Sequence, residues 1–110
     1  MSAPTGTQHL LVASRGPWSG PGAERFLSDA TALAGTGAAV TVLLVADAVP
    51  LVAGDALADL LAAGGRVLVD RFAATQRGVA GHPLPDGARW ADLDEPAALL
   101  LDPDVKVVWH

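Results

Sequence analysis

Asp70, Arg71, Arg77 and His110 are the residues whose types invite a chemical reading. Asp70 closes the apolar run Val67-Leu68-Val69, and Arg71 follows at once. A carboxylate delivered to the end of a buried strand can serve as a general base, accept a hydrogen bond from a ligand, or pair with Arg71 or Arg77. The same position also suits the cap of a short helix beginning near Phe72. Arg77 follows about two helical turns later. There it can bind an anion or orient a partner, and it can equally close the helix at its negative end with Gly78 as the cap.

Other polar residues leave the ends of apolar runs in the same way. Ser14 and Arg15 follow Leu10-Leu11-Val12-Ala13, Asp47 follows the run that starts at Ala39, and His110 follows the last one. In a parallel sheet such ends gather at one edge, where ligands usually bind. The loop Gly16-Pro17-Trp18-Ser19-Gly20 precedes a helix, so its backbone N–H groups could receive an anion. It lacks the Gly-Lys-Ser/Thr ending of a phosphate-binding P-loop and the glycine spacing of a dinucleotide site, although Asp47 stands about where that site would need an acid. Trp18 reads as packing or subunit contact ahead of ligand stacking. The candidate ligand-binding set is therefore Ser14, Arg15, Gly16, Trp18, Asp47, Asp70 and Arg77, and the candidate catalytic residues are Asp70 and His110.

Several chemistries drop out. The sequence has no cysteine, which removes disulfides, thiolate nucleophiles, persulfide carriage and Cys-ligated metals. His9, His82 and His110 lack the spacing of a metal site, so neither a metal nor a cofactor is expected. A triad of Ser14, His110 and Asp70 can be drawn, but nothing around Ser14 resembles a nucleophile elbow. With 7 basic residues against 12 acidic ones, a net charge of −5 and no basic cluster, nucleic acid is disfavoured as a partner.

These residues need a scaffold, and the pattern supplies one. Residues 1–8 read as a flexible tail and 9–110 as a single domain. After the first strand, Ala23, Phe26, Leu27, Ala30, Leu33 and Ala34 share one helical face, opposite Glu24, Arg25, Ser28 and Asp29. Gly35 and Gly37 end that helix. Ala39 to Ala46 is an almost uniformly apolar strand, the signature of a strand covered on both faces. A loop through Pro50 leads to a second helix that starts near Gly54 or Asp55, faces Leu57, Leu60 and Leu61 inward, and stops at Gly64-Gly65. The Asp70 strand and its short helix follow. Val79 to Ala88 is an irregular loop, Arg89-Trp90-Ala91 a short fourth strand, Asp94-Glu95-Pro96 a capped helix start, and Val105 to Trp109 a closing strand. Strands alternate with helices, which gives an α/β class: a three-layer α/β/α sandwich around a mainly parallel sheet of about five strands.

The segment Val67 to Gly78 resembles the corresponding strand and helix of the DsrE-like family, small α/β proteins of bacterial sulfur relay (the DsrE, DsrF and TusD type). Gly16-Pro17, Gly20, the Ala-rich helix, the second strand and the final Trp109-His110 also fit, so the resemblance spans most of 9–110. It implies a compact domain assembling into dimers, trimers or hexamers. In sulfur-carrying members a cysteine stands where Asp70 stands, and an Arg-Gly follows at the place of Arg77-Gly78. A cysteine-free chain of this kind is expected to be an oligomeric binding or partner subunit. The alternatives are an anion-binding protein or small enzyme using Asp70 and Arg77, and a scaffold subunit in a sulfur-relay complex. Trp18, Phe72 and Trp90 are the aromatics expected between subunits. No apolar run reaches the roughly 20 residues of a membrane span. Met1 to Thr7 has neither a basic start nor an apolar stretch, so a cytoplasmic protein is expected.

Overall fold

A computed structural model describes residues 8–16, 18, 20–53, 55–92 and 94–110. Of the expected tail, residues 1–7 lie outside these, while Gln8 already belongs to the first strand; Gly54, Pro17 and Ser19 also lie outside. The elements in order are β1 (Gln8–Ala13), α1 (Gly22–Gly35), β2 (Ala39–Leu44), a 3-10 helix (Ala46–Ala53), α2 (Ala58–Ala62), β3 (Arg66–Asp70), α3 (Arg71–Gln76), β4 (Ala88–Ala91), α4 (Asp94–Leu101) and β5 (Val105–Trp109). The strands form one sheet in the order β4-β3-β2-β1-β5, and all four pairings are parallel. The α/β class with a five-stranded parallel sheet is thus the one the pattern predicts.

The alternation of side chains along each strand sorts the core into two parts. Leu11 and Ala13, Val40, Val42 and Leu44, and Val67 and Val69 face one side. Phe26, Leu27, Ala30 and Ala34 of α1 cover them, with Val49 and Leu51 of the 3-10 helix, Leu60 of α2, and Ala73 and Ala74 of α3. Leu10, Val12, Leu43, Leu68 and Ala91 face the other side and meet partly buried Leu99, Val105 and Val107. Helices lie on both faces, but unequally. The second face carries α4, in which Pro96 is the buried residue.

Helix α1 follows its predicted face, and its end is set by Gly37. This residue adopts φ 90° and donates its N–H to Ala34 O at 3.0 Å. Such a positive φ is open to glycine at little cost. Two boundaries differ from the sequence reading. Strand β2 stops at Leu44, because Ala46 takes φ 49° and breaks the extended run. The expected loop through Pro50 is instead a 3-10 helix. The φ that proline imposes falls within the 3-10 range, so Pro50 is compatible with that turn. Burial of Ala48, Val49, Leu51 and Val52 then favours it.

The unequal faces predict unequal sensitivity. Leu60 is fully buried at the centre of the larger core. Leu60→Ala is expected to lower the unfolding free energy by about 2–5 kcal/mol, through lost burial and the cavity left behind. Leu101, 83% exposed, is expected to change it by no more than about 0.5 kcal/mol on replacement by Ala. Urea unfolding followed by circular dichroism checks both values.

Candidate functional site

All five strands run the same way, so Ala13, Leu44, Asp70, Ala91 and Trp109 end at one edge of the sheet. The sequence candidates collect there, but they divide between two faces. Asp70 shares the phase of Leu68 and so turns toward α4, while His110 shares the phase of Val108 and turns toward α1. The strand order also sets Asp70 and His110 three strands apart, about 14 Å by ordinary strand spacing. Ser14, His110 and Asp70 are therefore not brought together as a triad.

On the α1 face the polar groups are used in tying loops down. Ser14 donates from both its N–H (3.1 Å) and its Oγ (2.7 Å) to the main-chain oxygen of His110, which fastens the end of β5 to the end of β1. The His110 ring stacks on Phe26, with centroids 4.9 Å apart and 17° between planes. It also lies against Gly22, where a Cβ would sit 3.0 Å from the His110 Cε1. Its Nε2 is buried and has no hydrogen-bond partner among the described residues.

Arg77 caps the end of α3 and donates from one guanidinium nitrogen to Asp47 Oδ1 at 2.9 Å, bridging the 3-10 helix. Arg71 donates to Asp92 at 3.1 Å. Neither arginine pairs with Asp70, so the two ion pairs open to that residue in the sequence are taken up elsewhere. Gly16 is buried under the main chain of Asp47. A Cβ there would lie 2.5 Å from Asp47 O and 2.8 Å from the Trp18 ring. Arg15 and Trp18 are exposed. His9 stands at the opposite end of β1, and His82 is exposed in the loop before β4. Among the described residues no cluster of three His, Asp or Glu side chains is close enough to hold a metal ion.

Asp70 takes the capping role. Its backbone is extended (φ −61°, ψ 112°), and its Oδ1 accepts the Phe72 N–H at 3.1 Å. On the α4 side it borders a groove of about 350 Å³ lined by Val12, Leu43, Val45, Pro96, Ala97, Leu100 and Trp109, with Asp92 beside it. A second concavity, about 850 Å³, opens at the other sheet edge around Gln8, Arg66, Arg89 and Glu95. Arg89 and Glu95 form an ion pair there.

This architecture has counterparts among solved structures. The ychN protein of E. coli superposes with a TM-score of 0.84 at 23% identity, over 94% of this chain and 99% of that one. BT1422 of Bacteroides thetaiotaomicron, a conserved protein of unknown function, gives 0.74 at 16% identity, over 94% and 95%. The chain shares its fold with both proteins. No family model matches the chain. No curated protein matches it either.

Within this fold, Asp70, at the place that the resemblance gives to cysteine, is a helix cap at the rim of an apolar groove. Asp92 and Trp109 were not among the sequence candidates. Trp109 was reachable, because it continues the phase of Val105 and Val107. Asp92 was not, because its place beside Asp70 depends on the pairing of Asp70 with Ala91 across β3 and β4. Trp90, expected as an exposed interface aromatic, is half-buried against the larger core.

The cap and the crowded glycine each predict a stability change. Asp70→Ala is expected to cost about 0.5–2 kcal/mol, and Asp70→Asn much less, since asparagine caps equally well. Gly16→Ala is expected to cost roughly 1–3 kcal/mol, because the Asp47 main chain must move. Thermal melts of the three variants measure this, and a neutral Gly16→Ala would contradict the close approach.

Proposed function

We propose that this chain is a cysteine-free DsrE-like protein that works as an oligomeric binding or partner subunit and does not itself carry sulfur. The exposed apolar surface along β5 and the end of α4 carries this reading. Leu101 is 83% exposed, Trp109 64% and Val108 49%. They sit on or beside an edge strand, where main-chain N–H and C=O groups face outward and apolar side chains invite pairing. The other edge strand, β4, is shorter and carries Arg89, paired with Glu95. Edge strand β5 carries its own charge, the exposed Lys106, between its apolar residues.

The absence of cysteine from the sequence supports a binding role in this fold. Persulfide carriage needs a thiol, and a carboxylate at position 70 cannot form the sulfur–sulfur bond. An anion site built on Arg77 draws less support, since that guanidinium is already engaged by Asp47. A role inside a relay complex stays compatible with this reading if another subunit brings the cysteine.

Self-association is the property to measure. The wild-type protein is expected to run as a discrete oligomer in light scattering coupled to size exclusion at micromolar concentration. The double variant Leu101→Asp, Val108→Asp is expected to shift it to monomer, with a melting temperature close to that of the wild-type monomer. A wild-type chain that stays monomeric and captures no partner subunit from its host would defeat the reading.

A further inference from the structure

We propose that the concavity at the amino ends of the strands is a binding site for a small organic acid whose carboxylate is held by Arg66. The parallel register builds this site. Leu10, Leu43, Leu68 and Ala91 point to the α4 side of β1, β2, β3 and β4. Gln8, Thr41, Arg66 and Arg89 stand two residues earlier on the same strands, so they point the same way. Thr41 lies directly opposite Arg66. Gln8 is the diagonal neighbour of Thr41, and Arg89 that of Arg66. Four adjacent strands thus place one polar side chain each in a single row, next to a row that is wholly apolar. All four line the concavity of about 850 Å³, with Glu95 and Leu99 of α4 on one side and Leu61 of α2 on the other.

The row has donors to spare. Arg89 already makes two parallel hydrogen bonds to the Glu95 carboxylate. Glu95 is the one acid among the lining residues, so the charge left over is that of Arg66. Among the described residues the ion pairs engage Arg71, Arg77 and Arg89, and Arg66 has no partner. The hydroxyls of Thr31, Thr36 and Thr75 donate to main-chain oxygens of their own helices or turns. That of Thr41, half-buried beside Arg66, has no such partner among the described residues. A guanidinium with a hydroxyl next to it matches a carboxylate, which takes two parallel N–H donors and has lone pairs left for a third. The remaining lining says what the acid carries. Val40, Leu61 and Leu99 offer apolar surface that an inorganic anion would leave unused, and an organic body covers it with gain. The volume falls within the range of small-molecule sites. None of the exposed apolar residues of β5 and α4 takes part, so the site is independent of self-association there.

The test titrates the protein with 3-phenylpropanoate, its neutral counterpart 3-phenylpropanamide, and inorganic phosphate. Proton–nitrogen NMR gives the affinities and shows which backbone N–H groups move. The acid is expected to bind about tenfold or more tightly than the neutral compound, as charged hydrogen bonds would give, and more tightly than phosphate. The shifts are expected at Thr41, Gly64, Gly65 and Gly87, which line the concavity. Arg66 is exposed, so Arg66→Gln is expected to keep the melting temperature while abolishing the preference for the acid and leaving 3-phenylpropanamide unchanged. Equal affinities for acid and neutral compound, an Arg66→Gln variant that still prefers the acid, or shifts confined to other residues would overturn the proposal. So would phosphate binding as tightly as the acid, which would reduce the site to a patch of charge. A monomeric protein that passes these tests loses only the association reading, and an oligomer that fails them loses only this site.

Discussion

Side-chain alternation along parallel strands is the constraint on which the rest of this molecule depends. All strand ends meet at one edge, but each strand can present its last residue to only one face of the sheet. Strand β3 spends Val67 and Val69 on the larger core and so sends Asp70 to the α4 side. Strand β5 spends Val105 and Val107 on the smaller core, which sends Trp109 the same way as Asp70 and His110 the opposite way. The edge is therefore two half-sites. One is aliphatic, with carboxylates at its end. The other is a set of fastenings in which Ser14, His110, Asp47 and Arg77 hold loops to the ends of strands.

The two faces also differ in how completely they are covered. Four helical segments pack on the first, and its core takes in most of the buried residues of β1, β2 and β3. The second has one helix of eight residues, with Leu100 and Leu101 turned partly or wholly outward. Leu10, Val12, Leu43 and Leu68 are nonetheless buried on this side, and what stays exposed is the rim, Leu100, Leu101 and Trp109. The larger core thus lies on one side of the sheet, while exposed Leu100, Leu101 and Trp109 gather on the other.

Most of the scaffold was legible from local pattern. The amphipathic stripe of α1, the near-continuous apolar runs of β2 and β3, and Asp70 before a helix all depend on neighbours a few residues apart. The 3-10 helix at Ala46–Ala53 was hidden, because Pro50 signals a loop and only packing against the sheet reveals that Val49, Leu51 and Val52 are buried. The partners of the polar residues were hidden for a related reason. Asp47 meets Arg77 across 30 residues of sequence, and Arg71 meets Asp92 across 21. Spacing along a chain does not reveal which acid an arginine will find in a folded sheet. The unequal covering of the two faces was likewise invisible, since a helix reads the same from its sequence whichever side it packs on.

Asp70 shows how a strand end selects the side chain that it carries. The end of β3 is a place where the chain must leave an extended strand and enter a helix. The first free N–H groups of that helix need an acceptor. Aspartate supplies one, and its residue stands at the rim of the groove. A thiolate there would offer a nucleophile, whereas a carboxylate offers fixed negative charge and hydrogen-bond acceptance. The groove beside it is aliphatic: Val12, Leu43 and Val45 give a reacting group no donor to stabilise developing charge.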